Sequence, residues 1–270
     1  MTLSGRIFIL TIKNPITLNI DYCHFGGGGR INLSMAKRVC NLKIKSVLAV
    51  MFCLALLISS SAATALVTAS SVQVQDAPSI GYTIVVDPGH GGMDPGSIGK
   101  KSKVKEAEIN LKISNVLVKL LRSVGITVVM TRTNENGLYG LYSANYKKRD
   151  MAKRKEIIEQ TKPNMVVSVH MNSFTNTKLR GAQVFYDKHS EISRELALSI
   201  QKFFTDELPA SDKGVSIGDY YMLKCTAAPS VIAECGFLSN PEDEQLLLDE
   251  KYQTKVATCI YKGIMNFLNI

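Results

Sequence analysis

Four residues in this chain have the types and placement to build a hydrolytic centre: His90, Glu106, His170 and Glu234. His90 lies in Ile84-Val85-Val86-Asp87-Pro88-Gly89-His90-Gly91-Gly92-Met93-Asp94-Pro95-Gly96, where three apolar β-formers run into a histidine wrapped in glycines and prolines. Neither helix nor strand absorbs that loop, and glycine on both sides lets the backbone approach something bulky. His170 ends the apolar run Val166-Val167-Ser168-Val169, and Glu234 lies within Val231-Ile232-Ala233-Glu234-Cys235-Gly236-Phe237. Two imidazoles and one carboxylate are the protein ligands of an open catalytic zinc site, whose fourth position is left for water. One oxygen among nitrogens favours zinc over calcium or magnesium, which take mostly oxygens. Zinc makes hydroxide available near neutral pH, and a second carboxylate is then needed to pass the proton to the leaving amine. Glu234 is the candidate for that task, because a carboxylate inside an apolar run is costly unless it has a partner or a role.

Each residue also has a plainer reading. His90 fits a turn with an incidental imidazole, and His170 fits a core histidine satisfied by backbone. Glu106 at a helix start favours the macrodipole, and Glu108 competes with it as a ligand, although helical turning sets the two about 200° apart. His189, in the polar turn Asp187-Lys188-His189-Ser190, reads as solvated.

Positioning these side chains requires strands that end at one edge. Residues 82–86 are expected as the first strand, followed by a helix over 106–123 with Ile109, Leu111, Ile113, Val116, Leu117, Leu120 and Leu121 on a stripe of period 3.6. Further strands are expected at 126–130, 165–169, 182–186, 221–223 and 231–235. Helices are expected at 147–160, 192–204 and 252–268, the first of them strongly basic with Met151, Ile157 and Ile158 as apolar contacts. This alternation predicts an α/β fold: one domain, a twisted, mostly parallel β-sheet with helices on both faces. Strand ends and the starts of following helices share one edge of such a sheet, so the four side chains can meet there despite their separation in sequence.

Of the formal charge of +9, +5 falls in residues 1–80, leaving +4 for residues 81–270. That mild surplus suits an anionic polymer as substrate and carries no nucleic-acid signature. No two of the six cysteines have C-x-x-C spacing, so a disulfide framework is not expected, and Cys235 reads as a small buried hydrophobe. Residues 35–65 read as an export signal or membrane anchor: Lys37, Arg38, Lys43 and Lys45 precede an uncharged apolar run from Ser46, and Ala63-Thr64-Ala65 offers a cleavage site. In either form the carboxyl part is expected outside the cytoplasmic membrane. Residues 1–34 precede a complete signal, so Met35 is expected as the true start, with 1–34 an untranslated or disordered extension. Residues 66–81 read as a linker and 82–270 as the catalytic domain, without internal repeats.

The segments VVDPGHGGMDPG, KEAEINL, VVSVHMNS and AECGFLSNPEDE, in this order, resemble the zinc-dependent N-acetylmuramoyl-L-alanine amidases of the amidase-3 type. The resemblance spans residues 82–268 and implies His90, Glu106 and His170 as zinc ligands and Glu234 as the catalytic carboxylate. It favours Glu106 over Glu108, because the family pattern is glutamate, four residues, then leucine, here Glu106 to Leu111. Ala107 departs from the family's usual lysine. The short signal-plus-catalytic layout, Lys213-Gly214-Val215 and the ending Ile260-Tyr261-Lys262-Gly263-Ile264 are similar to the germination-specific amidases of spore-forming bacteria. The implied reaction cleaves the amide between N-acetylmuramic acid and L-alanine in peptidoglycan, in the cell wall or spore envelope. A metallocarboxypeptidase acting on the stem peptide, or a non-catalytic wall-binding protein, is the alternative. Without a wall-binding module, localisation is expected to rest on a membrane tether or an accessory protein partner.

Overall fold

Ile84, Val85 and Val86 have no exposed surface, because the strand that carries them is covered on both faces. The computed structural model describes residues 7–14, 17–23, 78–140 and 145–270. The chain divides into two units, Met1–Gln73 and Val74–Ile270. In the first, β1 (Ile7–Asn14) and β2 (Thr17–Cys23) form an antiparallel pair with Ile7 opposite Cys23. The expected signal or anchor of residues 35–65, Met35 itself and nearly all of the linker lie outside the described residues, whereas residues 7–14 and 17–23 of the expected disordered or untranslated extension are the paired strands β1 and β2.

The second unit runs β3 (Thr83–Pro88), α1 (Glu106–Ser123), β4 (Thr127–Met130), α2 (Tyr146–Thr161), β5 (Met165–Asn172) and β6 (Gln183–Tyr186). It continues through α3 (Glu191–Glu207), β7 (Ser216–Ile217), α4 (Tyr221–Lys224), β8 (Ser230–Phe237), α5 (Pro241–Leu248) and α6 (Glu250–Leu268). The strands form one sheet in the order β4-β3-β5-β8-β6-β7. Neighbours pair in parallel except β6 with β8, which are antiparallel. A mostly parallel α/β sheet is therefore what the chain builds.

Side chains alternate across each strand, so parity sorts them between two cores. Ile84 and Val86 of β3 and Val167, Val169 and Met171 of β5 pack in the larger core beneath α1, α3 and α6. Val85 and Val166 face the other way, into a small cluster with Ile158 of α2 and Met222 of α4. The next residues of that parity are Asp87 on β3 and Ser168 and His170 on β5. The thinly covered face is thus the one on which polar chemistry collects. Immediately after Glu234 the β5–β8 register slips: His170 pairs with Glu234, but Asn172 pairs with Phe237. Such bulges re-aim side chains beside functional sites.

Two expectations change. Residues 221–223, expected as a strand, form the single helical turn α4. Tyr221, Met222, Leu223 and Lys224 include no β-branched residue, and the turn lets consecutive Met222 and Leu223 both be buried. The edge position beside β6 is taken by Ser216–Ile217 instead. Helix α5 was not expected, yet its start is written in Asn240-Pro241-Glu242-Asp243-Glu244. Asn240 caps the amides of Glu242 and Asp243 at 3.0 Å each, Pro241 fills the first turn, and three acids meet the helix dipole.

Gly263 shows what sets the approach of the two long helices of the larger core. A Cβ there would lie 2.5 Å from Ile200 Cα and 2.9 Å from its backbone nitrogen. The helix-propensity loss of about 1 kcal/mol at a mid-helix glycine is accepted because α6 lies directly on the α3 backbone. Gly263→Ala is therefore expected to destabilise the chain by about 1–3 kcal/mol, despite alanine's better propensity. Urea unfolding of the parent and variant reads this, and a variant as stable as the parent would contradict it.

Candidate active site

The His90 loop, the first turn of α1 and the end of β5 converge on one carboxylate. Glu106 opens α1, is 2% exposed, and presents Oε1 to both imidazoles at once. His90 Nε2 lies 3.1 Å from Oε1 and His170 Nδ1 lies 2.9 Å from it. The same oxygen accepts from Met171 N at 3.1 Å, and Oε2 accepts from Ser97 N at 2.8 Å. One ligand atom from each of His90, Glu106 and His170 falls within 4.8 Å of the others. The imidazole rings stand edge to face, 5.0 Å apart. Glu108 takes no part; it is paired with Lys105 at 3.6 Å. His189 is exposed, as its polar turn suggests.

Backbone geometry explains the glycines around His90. A Cβ at Gly89 would overlap the His170 ring, so only glycine lets β3 run into its loop beside that imidazole. His90 itself adopts φ 60°, a left-handed conformation uncommon for a non-glycine residue.

Asp94 supports His90 from behind, with Oδ2 3.0 Å from Nδ1. A carboxylate on the far ring nitrogen fixes the tautomer and orientation of a metal-binding histidine. Burial opposes a charge on His90, but the contacts to Asp94 and Glu106 outweigh it and push its pKa up to about 9. Burial likewise opposes charge on Glu106, yet the two imidazoles hold its carboxyl well below the usual range. Two nitrogens, one oxygen and a supporting carboxylate fit a zinc ion, with His90, Glu106 and His170 available to hold it.

Glu234 faces this group from β8, directly beside His170 in the register. It is 8% exposed, and its Oε2 is buried without a hydrogen-bond partner among the described residues. Burial is the main cause that pushes its pKa up to about 7; Glu106 adds to the rise while His170 and His90 oppose it. A buried carboxylate with a free oxygen and a pKa near neutrality is suited to moving protons at physiological pH.

Beneath the candidate ligands lies a buried network with little trace in the sequence. Asp87 accepts from Arg154 Nη1 at 2.5 Å, Thr131 Oγ1 at 2.6 Å and Ser168 Oγ at 2.5 Å. Burial raises the Asp87 pKa, but Arg154, Ser168 and Thr131 prevail and hold it at about 2. Arg154, 1% exposed, also donates to Asp150 Oδ2, Pro88 O and His90 O. Arg132, 3% exposed, donates to the carbonyls of Pro88, Gly89, Ala107 and Asn134 at 2.8–2.9 Å. Arg154 hid within a basic helix, where the available signal was its i,i+4 spacing from Asp150. Arg132 sits just beyond the end of β4, and its partners among the described residues are backbone carbonyls.

His90, His170 and Glu234 line a cleft of about 740 Å³, counted with its open mouth, while Glu106 is buried and is not among its lining residues. Tyr139, Tyr146, Lys147, Tyr220 and Tyr221 border it. Lys147 lies 3.5 Å from Asp94 Oδ1, and Tyr139 accepts from Met93 N at 2.6 Å.

The profile of the amidase-3 family, N-acetylmuramoyl-L-alanine amidase, matches residues 84–266. The germination-specific N-acetylmuramoyl-L-alanine amidase of Bacillus subtilis (strain 168) is 33% identical over 199 residues, covering 70% of this chain and 81% of that protein. The CwlD amidase of Clostridioides difficile, solved in complex with the GerS lipoprotein, superposes with a TM-score of 0.67 at 40% identity, over 70% of this chain and 98% of that one. An N-acetylmuramoyl-L-alanine amidase from Clostridium difficile 630 superposes with a TM-score of 0.62 at 30% identity, over 70% and 97%. The strand-and-helix frame, the convergence of His90, Glu106, His170 and Glu234, and these matches agree: the chain belongs to the N-acetylmuramoyl-L-alanine amidase family and is an enzyme of that activity.

Proposed function

We propose that the chain is a zinc-dependent amidase in which His90, Glu106 and His170 hold the metal and Glu234 carries the proton. Its bond is the amide between N-acetylmuramic acid and L-alanine, and its setting is spore cortex peptidoglycan. The observation that carries this reading is the meeting of two imidazoles on one Glu106 oxygen beside the unpartnered oxygen of Glu234. Zinc, when bound, supplies a Lewis acid for the scissile carbonyl and lowers the pKa of water at the site. Glu234 takes the proton of the attacking water and returns it to the departing L-alanine nitrogen. Asp94 keeps His90 turned so that Nε2 faces Glu106. The tyrosine-bordered cleft receives the glycan and stem peptide around that bond.

The spore setting is supported by the germination-specific relative of Bacillus subtilis. A protein partner is supported by the Clostridioides difficile relative, solved with a lipoprotein. Export across the cytoplasmic membrane rests on the basic-then-apolar segment of residues 35–65. Residues 66–81 then link it to the catalytic domain of residues 82–270, and Met35 is the proposed start. No helix among the described residues is long and apolar enough to cross a membrane.

Substitutions divide the roles. Glu234→Ala should keep one zinc per chain while kcat falls by about 10²–10⁴-fold, whereas His90→Ala should lose both zinc and activity. Metal analysis and peptide release from purified peptidoglycan read these outcomes, and a Glu234→Ala enzyme of parental activity would contradict the assignment. Digestion of spore and vegetative muropeptides should leave muramic acid freed of its peptide. Trimmed stem peptides still joined to muramic acid would instead identify a carboxypeptidase. For the start site, mass spectrometry of the precursor before the signal is removed should find no peptide from residues 1–34.

A further inference from the structure

Arg132 is an anomaly by the usual rules of burial. It is 3% exposed, yet its hydrogen-bond partners among the described residues are all backbone carbonyls, those of Pro88, Gly89, Ala107 and Asn134, with no carboxylate among them. A buried guanidinium without a hydrogen-bonded counter-ion is costly, and here burial and the nearby Arg154 push its pKa down to about 10. The places it binds explain why it is there. Nη2 bridges Gly89 O and Ala107 O at 2.8 Å each, joining the residue before His90 to the residue after Glu106.

Arg154 completes the arrangement from the other side. Its Nη2 donates to the carbonyl of His90 itself at 2.6 Å, and Nη1 donates to Pro88 O at 2.8 Å. Through Asp87 it reaches Ser168, two residues before His170. Two planar donor forks therefore hold three successive carbonyls of the His90 loop and tie that loop to the chain segments bearing Glu106 and His170. The left-handed φ of His90 gives the loop a reason to need such holding.

We propose that Arg132 and Arg154 are positioning residues that set the metal affinity of the site by pre-arranging its three ligands in the metal-free protein. This rests on the zinc reading given above. Neither guanidinium enters the ligand set; each acts through the backbone of a ligand or its neighbour. The planar fork matters, because Arg132 reaches four carbonyls from three nitrogens fixed in one plane, whereas lysine gathers its three donors on a single nitrogen.

The test uses the full chain and zinc itself. Zinc affinity of the parent is measured first by competition with a chromogenic chelator; a parent that binds no zinc would refute the metal reading, not this one. Arg132→Lys and Arg154→Lys are then compared below the unfolding temperature of each metal-free variant, with folding checked by circular dichroism. The expected result is zinc affinity weaker by about 10–100-fold in each folded variant. A purely structural role would lower the unfolding temperature yet leave the affinity of the folded protein unchanged. A folded variant binding zinc within about twofold of the parent overturns the proposal. A second measurement needs no variant: in the zinc-free parent the Nε protons of Arg132 and Arg154 should exchange far more slowly than that of exposed Arg194. Exchange at the rate of Arg194 would equally overturn it, because the forks would then be open without metal.

Discussion

The ion pair of Asp87 with Arg154 lies where the sheet meets the candidate active site, and most of what surrounds it depends on it. Asp87 closes the apolar part of β3, and its carboxylate gathers Arg154 from α2, Thr131 from the residue after β4 and Ser168 from β5. Two charges this deeply buried are tolerable only when each is paired and its remaining hydrogen-bonding capacity is filled. That condition is met here by groups that also shape the His90 loop. Removing one partner would leave an uncompensated buried charge, at a cost of about 3–5 kcal/mol. The network thus has a double consequence: it holds α2 on the sheet and fixes the loop on which the candidate ligands converge.

The division of the sheet into two faces follows from the same constraint. The face beneath α1, α3 and α6 is filled with aliphatic side chains and carries the larger core. The opposite face has a smaller apolar cluster, and its remaining space is taken by Asp87, Ser168, His170 and Glu234 with their partners. Stability and chemistry are separated by strand parity. Val169 and His170 are adjacent in sequence, yet one is core and the other borders the cleft.

Much of this was legible in the sequence because the signals were local. Apolar runs marked β3, β5 and β8, and the glycines around His90 marked a loop with a close backbone approach, which proves to be the His170 ring at Gly89. The convergence of His90, Glu106, His170 and Glu234 followed from placing each at the carboxyl edge of a parallel sheet. What escaped was long-range or ambiguous. Arg132 binds carbonyls, which leave no trace in residue types, and Arg154 is one cation among many on α2. The Tyr221–Lys224 turn was mistaken for a strand because a short apolar pair has no measurable period. Helix α5 was legible in its capping residues and was passed over because Asn-Pro-Glu-Asp-Glu also reads as a polar loop.

His90, Glu106 and His170 are proposed to form a single zinc site beside Glu234. The most direct measurement is anomalous X-ray scattering at the zinc edge from crystals of the zinc-loaded chain. The account predicts one strong anomalous peak within coordinating distance of all three side chains, with the Glu234 carboxylate facing it across the cleft. A peak elsewhere, or none at these residues in an enzyme that releases peptide from peptidoglycan, would contradict it.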